Sequence, residues 1–147
     1  MSRLNRQMIL NISVAGLAAQ GFARSMASLP HSRPDYGNSL QCAYRSPPND
    51  EGTCLKCAIG HLIPDGSYTP DLEGTTASAP KVRQLLTEEY GGKDGIVGED
   101  MIFLDDLQYC HDHADKDVYG GRDIDMRRRL ITFASKHKLV VPTELST

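Results

Sequence analysis

The stretch from Gln41 to Gly74 limits what this chain can build, because it interrupts regular structure at short intervals. It holds four of the eight prolines and four of the thirteen glycines, together with Cys42, Cys54 and Cys57. No long helix or central strand tolerates that punctuation. Two short strands at 40–45 and 53–56 are expected to face each other across 46–52, a loop too long and proline-rich for a two-residue turn. From Cys57, the residues Ala58, Ile59, Leu62 and Ile63 fit a short buried helix. Gly60 lets a neighbour approach closely there, and Pro64-Asp65-Gly66 ends it. Thr69 is then expected to cap a further turn, with Pro70 at its first helical position.

Helical periodicity takes over on either side. Asn5 is a candidate N-cap, and Met8, Ile12, Ala15, Ala19, Phe22 and Met26 recur at helical spacing, predicting an amphipathic helix over 5–28. Arg3, Arg6 and the apolar run after them have the outline of a signal peptide. Asn11 and Ser13 interrupt that run, so the helix is the reading adopted. Residues 30–39, with two prolines, are expected to hold no regular structure and to form a surface connection. The part from 81 to 138 is predicted helical: 81–90 with Val82, Leu85 and Leu86 on one side, and 99–114 with Met101, Leu104, Leu107, His111 and Ala114 on one face. A last helix, capped by Asp123, would bury Met126, Leu130, Phe133, Ala134 and His137. Residues 139–147 are expected to fray. The fold class is therefore α+β: a mainly helical single domain over 1–147, packed around a small two-stranded hairpin. Cys42, Cys57, Ile59, Leu62, Leu104, His111 and Leu130 should lie near its centre. No segment is long and apolar enough to span a bilayer.

Charge and motifs then exclude several functions. Sixteen Lys and Arg against nineteen Asp and Glu give a net charge of -3, and Trp is absent. Direct nucleic-acid binding, which needs a basic face, is not expected. Nucleophile elbow, Walker loop and dinucleotide fingerprint are all missing. Three thiolates and an imidazole from Cys42, Cys54, Cys57 and His61 could hold a tetrahedral zinc, with buried, unligated thiols as the alternative. The C-x-x-C lacks the alternating strands and helices of a redox scaffold. Cys110-His111-Asp112-His113, with Asp115 and Asp117, invites comparison with His-Asp metal phosphohydrolases. The alternative is a core His111 bonded to backbone, with Asp112, His113 and Asp115 solvated at a helix end. Of Arg127, Arg128 and Arg129, at most two can reach one partner. Arg45 is placed for a partner contact or for an ion pair with Asp65 or Glu73.

The blocks Cys42-Ala-Tyr44-Arg45, Leu55-Lys56-Cys57-Ala58-Ile59-Gly60-His61-Leu62-Ile63-Pro64-Asp65 and Tyr68-x-Pro70-x-x-Glu73-Gly74 resemble an uncharacterised family of small proteins of tailed phages and prophages. The likeness extends to Phe103-Leu104-x-x-Leu107-Gln108-x-x-His111-Asp112. The family pattern keeps counterparts of Cys42 and Cys57 but none of Cys54, which argues against zinc. The resemblance implies a mobile-element accessory protein in the bacterial cytoplasm. Its expected role is counter-defence inhibition, of the anti-CRISPR kind, through binding of a host protein or nucleoprotein complex. Asp105, Asp106, Asp112, Asp115 and Arg45 are the expected contacts, with the loops 46–52 and 91–98. The alternative is a nucleotide-type small-ligand binder or metal-dependent phosphohydrolase using Arg45, His61, His111 and Asp112.

Overall fold

Asn5 opens the first helix, its side chain accepting the Met8 amide at 3.0 Å as an N-cap does. In the computed structural model, which describes residues 5–30, 38–48, 52–73, 80–91, 98–114 and 121–146, this helix, α1, spans Arg6–Ala19. It buries Ile9, Leu10, Ser13, Val14 and Leu17. It stops well short of residue 28, where the sequence placed its end. Gly21 and Phe22 take positive φ angles of 67° and 57°, and the Phe22 amide folds back to the Leu17 carbonyl at 2.8 Å. That left-handed pair closes the helix. Met26, read as helical, instead begins a strand.

β1 (Met26–Pro30) pairs antiparallel with β2 (Asn38–Cys42), Met26 standing opposite Cys42. The hairpin expected between 40–45 and 53–56 does not form as a ladder; it contracts to one antiparallel bridge, Arg45 with Lys56. A backbone bond, Ser46 N to Leu55 O at 2.8 Å, accompanies that bridge, and two side chains occupy groups a ladder would use. The Gln20 amide accepts from Lys56 N at 3.1 Å and donates to Lys56 O at 2.7 Å, while the Ser46 hydroxyl accepts from Leu55 N at 2.8 Å.

The same principle holds the whole central stretch. Buried irregular backbone must still satisfy its polar groups. Ser13 Oγ donates to Ala58 O at 2.9 Å, Ile59 N donates to Gln108 Oε1 at 3.0 Å, and Tyr90 Oη donates to Leu62 O at 2.8 Å. The Glu73 carboxylate accepts the Tyr44 and Arg45 amides at 2.8 and 3.0 Å and the Tyr68 hydroxyl at 2.6 Å. Between these ties lie 3-10 turns at Gly60–Leu62, Asp65–Ser67 and Pro70–Leu72. Pro70 sits at the first helical position as expected, but Thr69 makes no capping bond.

α2 (Pro80–Leu86) buries Val82 and Leu86 and runs into a wider turn, Thr87–Gly91. α3 (Gly98–Asp112) and α4 (Arg122–Lys136) complete the core, with Phe103, Leu104 and Leu107 from one and Met126, Leu130, Phe133 and Ala134 from the other in a single cluster of buried side chains. Gly121, not Asp123, is the residue that opens α4, and it makes no side-chain cap.

The tail departs from expectation as well. Beyond Lys136 the chain docks: Leu139 N donates to Ala134 O at 2.8 Å, and the Gln7 side chain pairs with both Val140 N and Val140 O at 2.8 and 3.0 Å. Leu145 is buried within the closing turn Thr143–Ser146. Among the described residues no helix is long and apolar enough to cross a membrane.

Candidate functional site

Among the described residues, one group of side chains that could hold a metal ion lies where the C-terminal end of α3 meets β1 and β2. One ligand atom each from Cys42, His111 and Asp112 falls within 4.8 Å of the others. His111 is fully buried. The Ser25 amide donates to its Nε2 at 2.9 Å, and because a backbone N–H can only donate, the ring proton belongs on Nδ1. Nδ1 lies 2.8 Å from Asp112 Oδ1, which also accepts from Gln108 Nε2 at 2.6 Å. Arg24 Nη2 donates to Cys42 Sγ at 3.1 Å. Burial raises the Cys42 thiol above its usual range; the Arg24 bond opposes this and Asp112 adds to it.

That arrangement decides what the cluster can do. A metal would need a free ring nitrogen, yet freeing Nδ1 would put the proton on Nε2, facing the Ser25 N–H. A thiolate beside the Asp112 carboxylate is equally disfavoured. The cluster ties α3 to the start of β1. This matches the alternative in which His111 is a core histidine bonded to backbone, but Asp112 is half-buried and engaged, not solvated as that alternative had it. His113 is exposed and stacks on Tyr109 with ring centroids 3.8 Å apart.

The sequence-derived zinc set is not assembled: Cys42, Cys54, Cys57 and His61 form no ligand group among the described residues. Cys57 is buried, accepts the Gly60 amide at 3.3 Å, and has its thiol pushed far up by that burial. Cys54 is half-buried and free of any disulfide, and Cys42 belongs to the His111 cluster. His61 packs over Gly16 and lies 3.1 Å from Gln20 Oε1.

Burial, with Lys56 nearby, lowers the His61 pKa from 6.5 to about 4. The unfolded chain therefore takes up this proton first as pH falls. The stabilisation is complete above pH 6.5 and is lost as pH falls towards about 4, below which both states are protonated. Allowing for the solvent that reaches the ring, up to about 2 kcal/mol should disappear across that window. Urea unfolding at neutral and mildly acidic pH should show this loss in the native chain, and His61→Gln should flatten it.

Arg45 bonds Asp65 at 2.5 Å and lies over the Tyr68 ring at 4.4 Å, so the ion-pair alternative describes it. Asp106 is held by Lys136 at 2.9 Å and His137 at 3.2 Å, bonds that lower its pKa, whereas Asp105 is exposed. Asp115, most of the loop 91–98 and the middle of the loop 46–52 lie outside the described residues.

One feature escaped the sequence reading. Between α3 and α4 runs an open groove of about 420 Å³, rimmed by Arg128, Arg129 and Lys136, walled by Tyr109 and floored by Cys110 and Phe133. Arg127 leaves the other two and lies over Phe22 at 4.8 Å, so two of the three arginines share one face, as helical geometry requires. The signal was the spacing Arg128, Thr132, Lys136 on one helix opposite Asp106 and Tyr109 on the other. No family model, curated protein or solved structure matches the chain.

Proposed function

We propose that the protein acts by binding another protein through its α3–α4 face. In specific form it is a phage or prophage accessory protein that inhibits a host defence protein or nucleoprotein complex. The observation that carries the reading is the exposure of Ile102 (62%) and Tyr109 (52%) on α3, two turns apart with Asp105 between them. Aromatic and aliphatic side chains held out on a rigid helix beside a groove are the usual anchors of a protein interface. The phage and counter-defence elements rest on the resemblance of the central motif.

The alternative, a nucleotide binder or metal-dependent phosphohydrolase using Arg45, His61, His111 and Asp112, needs those groups to converge on a reacting atom. Their polar atoms are engaged separately, with Asp65, Gln20, Ser25 and Gln108. The test is phage plating on bacteria that carry one defined defence complex and express the full chain. Plating should rise by orders of magnitude with the native protein and fall back with Ile102→Glu and Tyr109→Ala. No rise across a panel of such complexes, or a large thermal shift of the purified protein with a nucleotide or divalent metal, overturns it.

A further inference from the structure

Building on that protein-binding reading, we infer that the α3–α4 groove seats an acidic amphipathic helix of the partner, its carboxylates on Arg128 and Lys136 and an apolar side chain on the Phe133 floor. The charges in the groove set the sign of its occupant. Asp106, the acidic residue among its described lining, is bonded to Lys136 and His137, and those bonds hold it as an anion. Arg129 bonds Asp125 at 2.8 Å. Arg128 makes no bond to a described residue, and its guanidinium is free to meet an incoming carboxylate. The Lys136 pair with Asp106 lies at the solvent-exposed surface, where such pairs contribute little, so Lys136 can exchange its partner. On a chain of net charge -3, this face is therefore a local excess of positive charge.

Spacing sets the form of the occupant. Arg128 and Lys136 stand eight residues apart on α4, about 12 Å along the axis at 1.5 Å per residue. One phosphate cannot bridge that span, whereas carboxylates two turns apart on a facing helix match it. The apolar strip between the cations supplies the floor such a helix needs for its hydrophobic face. Tyr109 arrives pre-ordered, stacked on His113 at 3.8 Å with the Arg129 guanidinium 5.8 Å from its ring. A wall fixed before binding loses little rotamer entropy on contact.

The experiment titrates the isotopically labelled full chain with three synthetic helical peptides of about fifteen residues. They share one Leu/Phe stripe and carry Glu, Lys or Gln on the flanking positions; ATP and inorganic phosphate are separate arms. The Glu peptide should shift the Tyr109, Cys110, Thr132 and Phe133 amides and weaken with added salt. Arg128→Glu with Lys136→Glu should cut its affinity roughly tenfold or more while the thermal midpoint stays put. Equal or tighter binding of the Lys peptide overturns the inference, as do shifts that map elsewhere or a stronger response to ATP or phosphate. If all three peptides fail while the protein still raises phage plating, the acidic-helix assignment falls and the protein-binding reading stands. Failure of plating as well removes both.

Discussion

Gly60→Ala is expected to cost about 3 kcal/mol or more, enough to remove a large part of a small domain's stability. A Cβ at position 60 would stand 2.0 Å from the Tyr44 carbonyl oxygen and 2.9 Å from its carbon. The obstacle is backbone, and that backbone is fixed from several directions. Ala43 N donates to Ser25 O at 2.9 Å, Tyr44 N and Arg45 N donate to Glu73 at 2.8 and 3.0 Å, and Arg45 bridges to Lys56. Neither side can retreat without breaking a buried polar bond, each with its own penalty. Gly66→Ala is the internal control, because nothing lies within 4 Å of its would-be Cβ; it should change stability by about 0.5 kcal/mol or less. Urea midpoints of the two variants decide the matter, and equal losses would mean that the close approach at Tyr44 is wrong.

Gly60 also marks how far the sequence could be read. Its role as a point of close approach was legible, because a glycine among Ala58, Ile59 and Leu62 interrupts an apolar run without a turn signal. The apolar faces of α3 and α4 were legible from period alone, and so was the burial of His111, which falls on the leucine stripe. What period could not reveal was where a competing backbone conformation wins. Phe22 and Met26 continue the spacing of α1, yet the left-handed pair at Gly21 and Phe22 ends the helix before either is reached. Nor could local pattern foresee bonds across long separations. Gln20 satisfies Lys56 and Gln7 satisfies Val140, so a strand expected at 53–56 is lost and a tail expected to fray is held. The cation groove is hidden for the same reason: Arg128 and Lys136 acquire a common purpose only when α3 lies alongside α4.

Gly16→Ala should destabilise the protein by about 2 kcal/mol, against the ordinary rule that alanine improves a helix interior by about 1 kcal/mol over glycine. The reason is His61. A Cβ on residue 16 would lie 2.2 Å from His61 Nδ1, 2.4 Å from Cγ and 2.6 Å from Cε1, so it would strike the flat of the ring. The ring is kept over the helix by its contact with Gln20 Oε1 at 3.1 Å, and Gln20 is anchored in turn by Lys56. Displacing it would break that contact and loosen the amide that holds the central stretch to α1. The conflict belongs to the pair, so a double-mutant cycle exposes it. In a His61→Ala background the ring is gone, and Gly16→Ala should become neutral or stabilising as helix propensity reasserts itself. The sign of the Gly16→Ala effect should therefore reverse between the two backgrounds in urea unfolding. A gain in stability with His61 intact would show that the ring does not rest on Gly16, and the low His61 pKa would lose its structural cause.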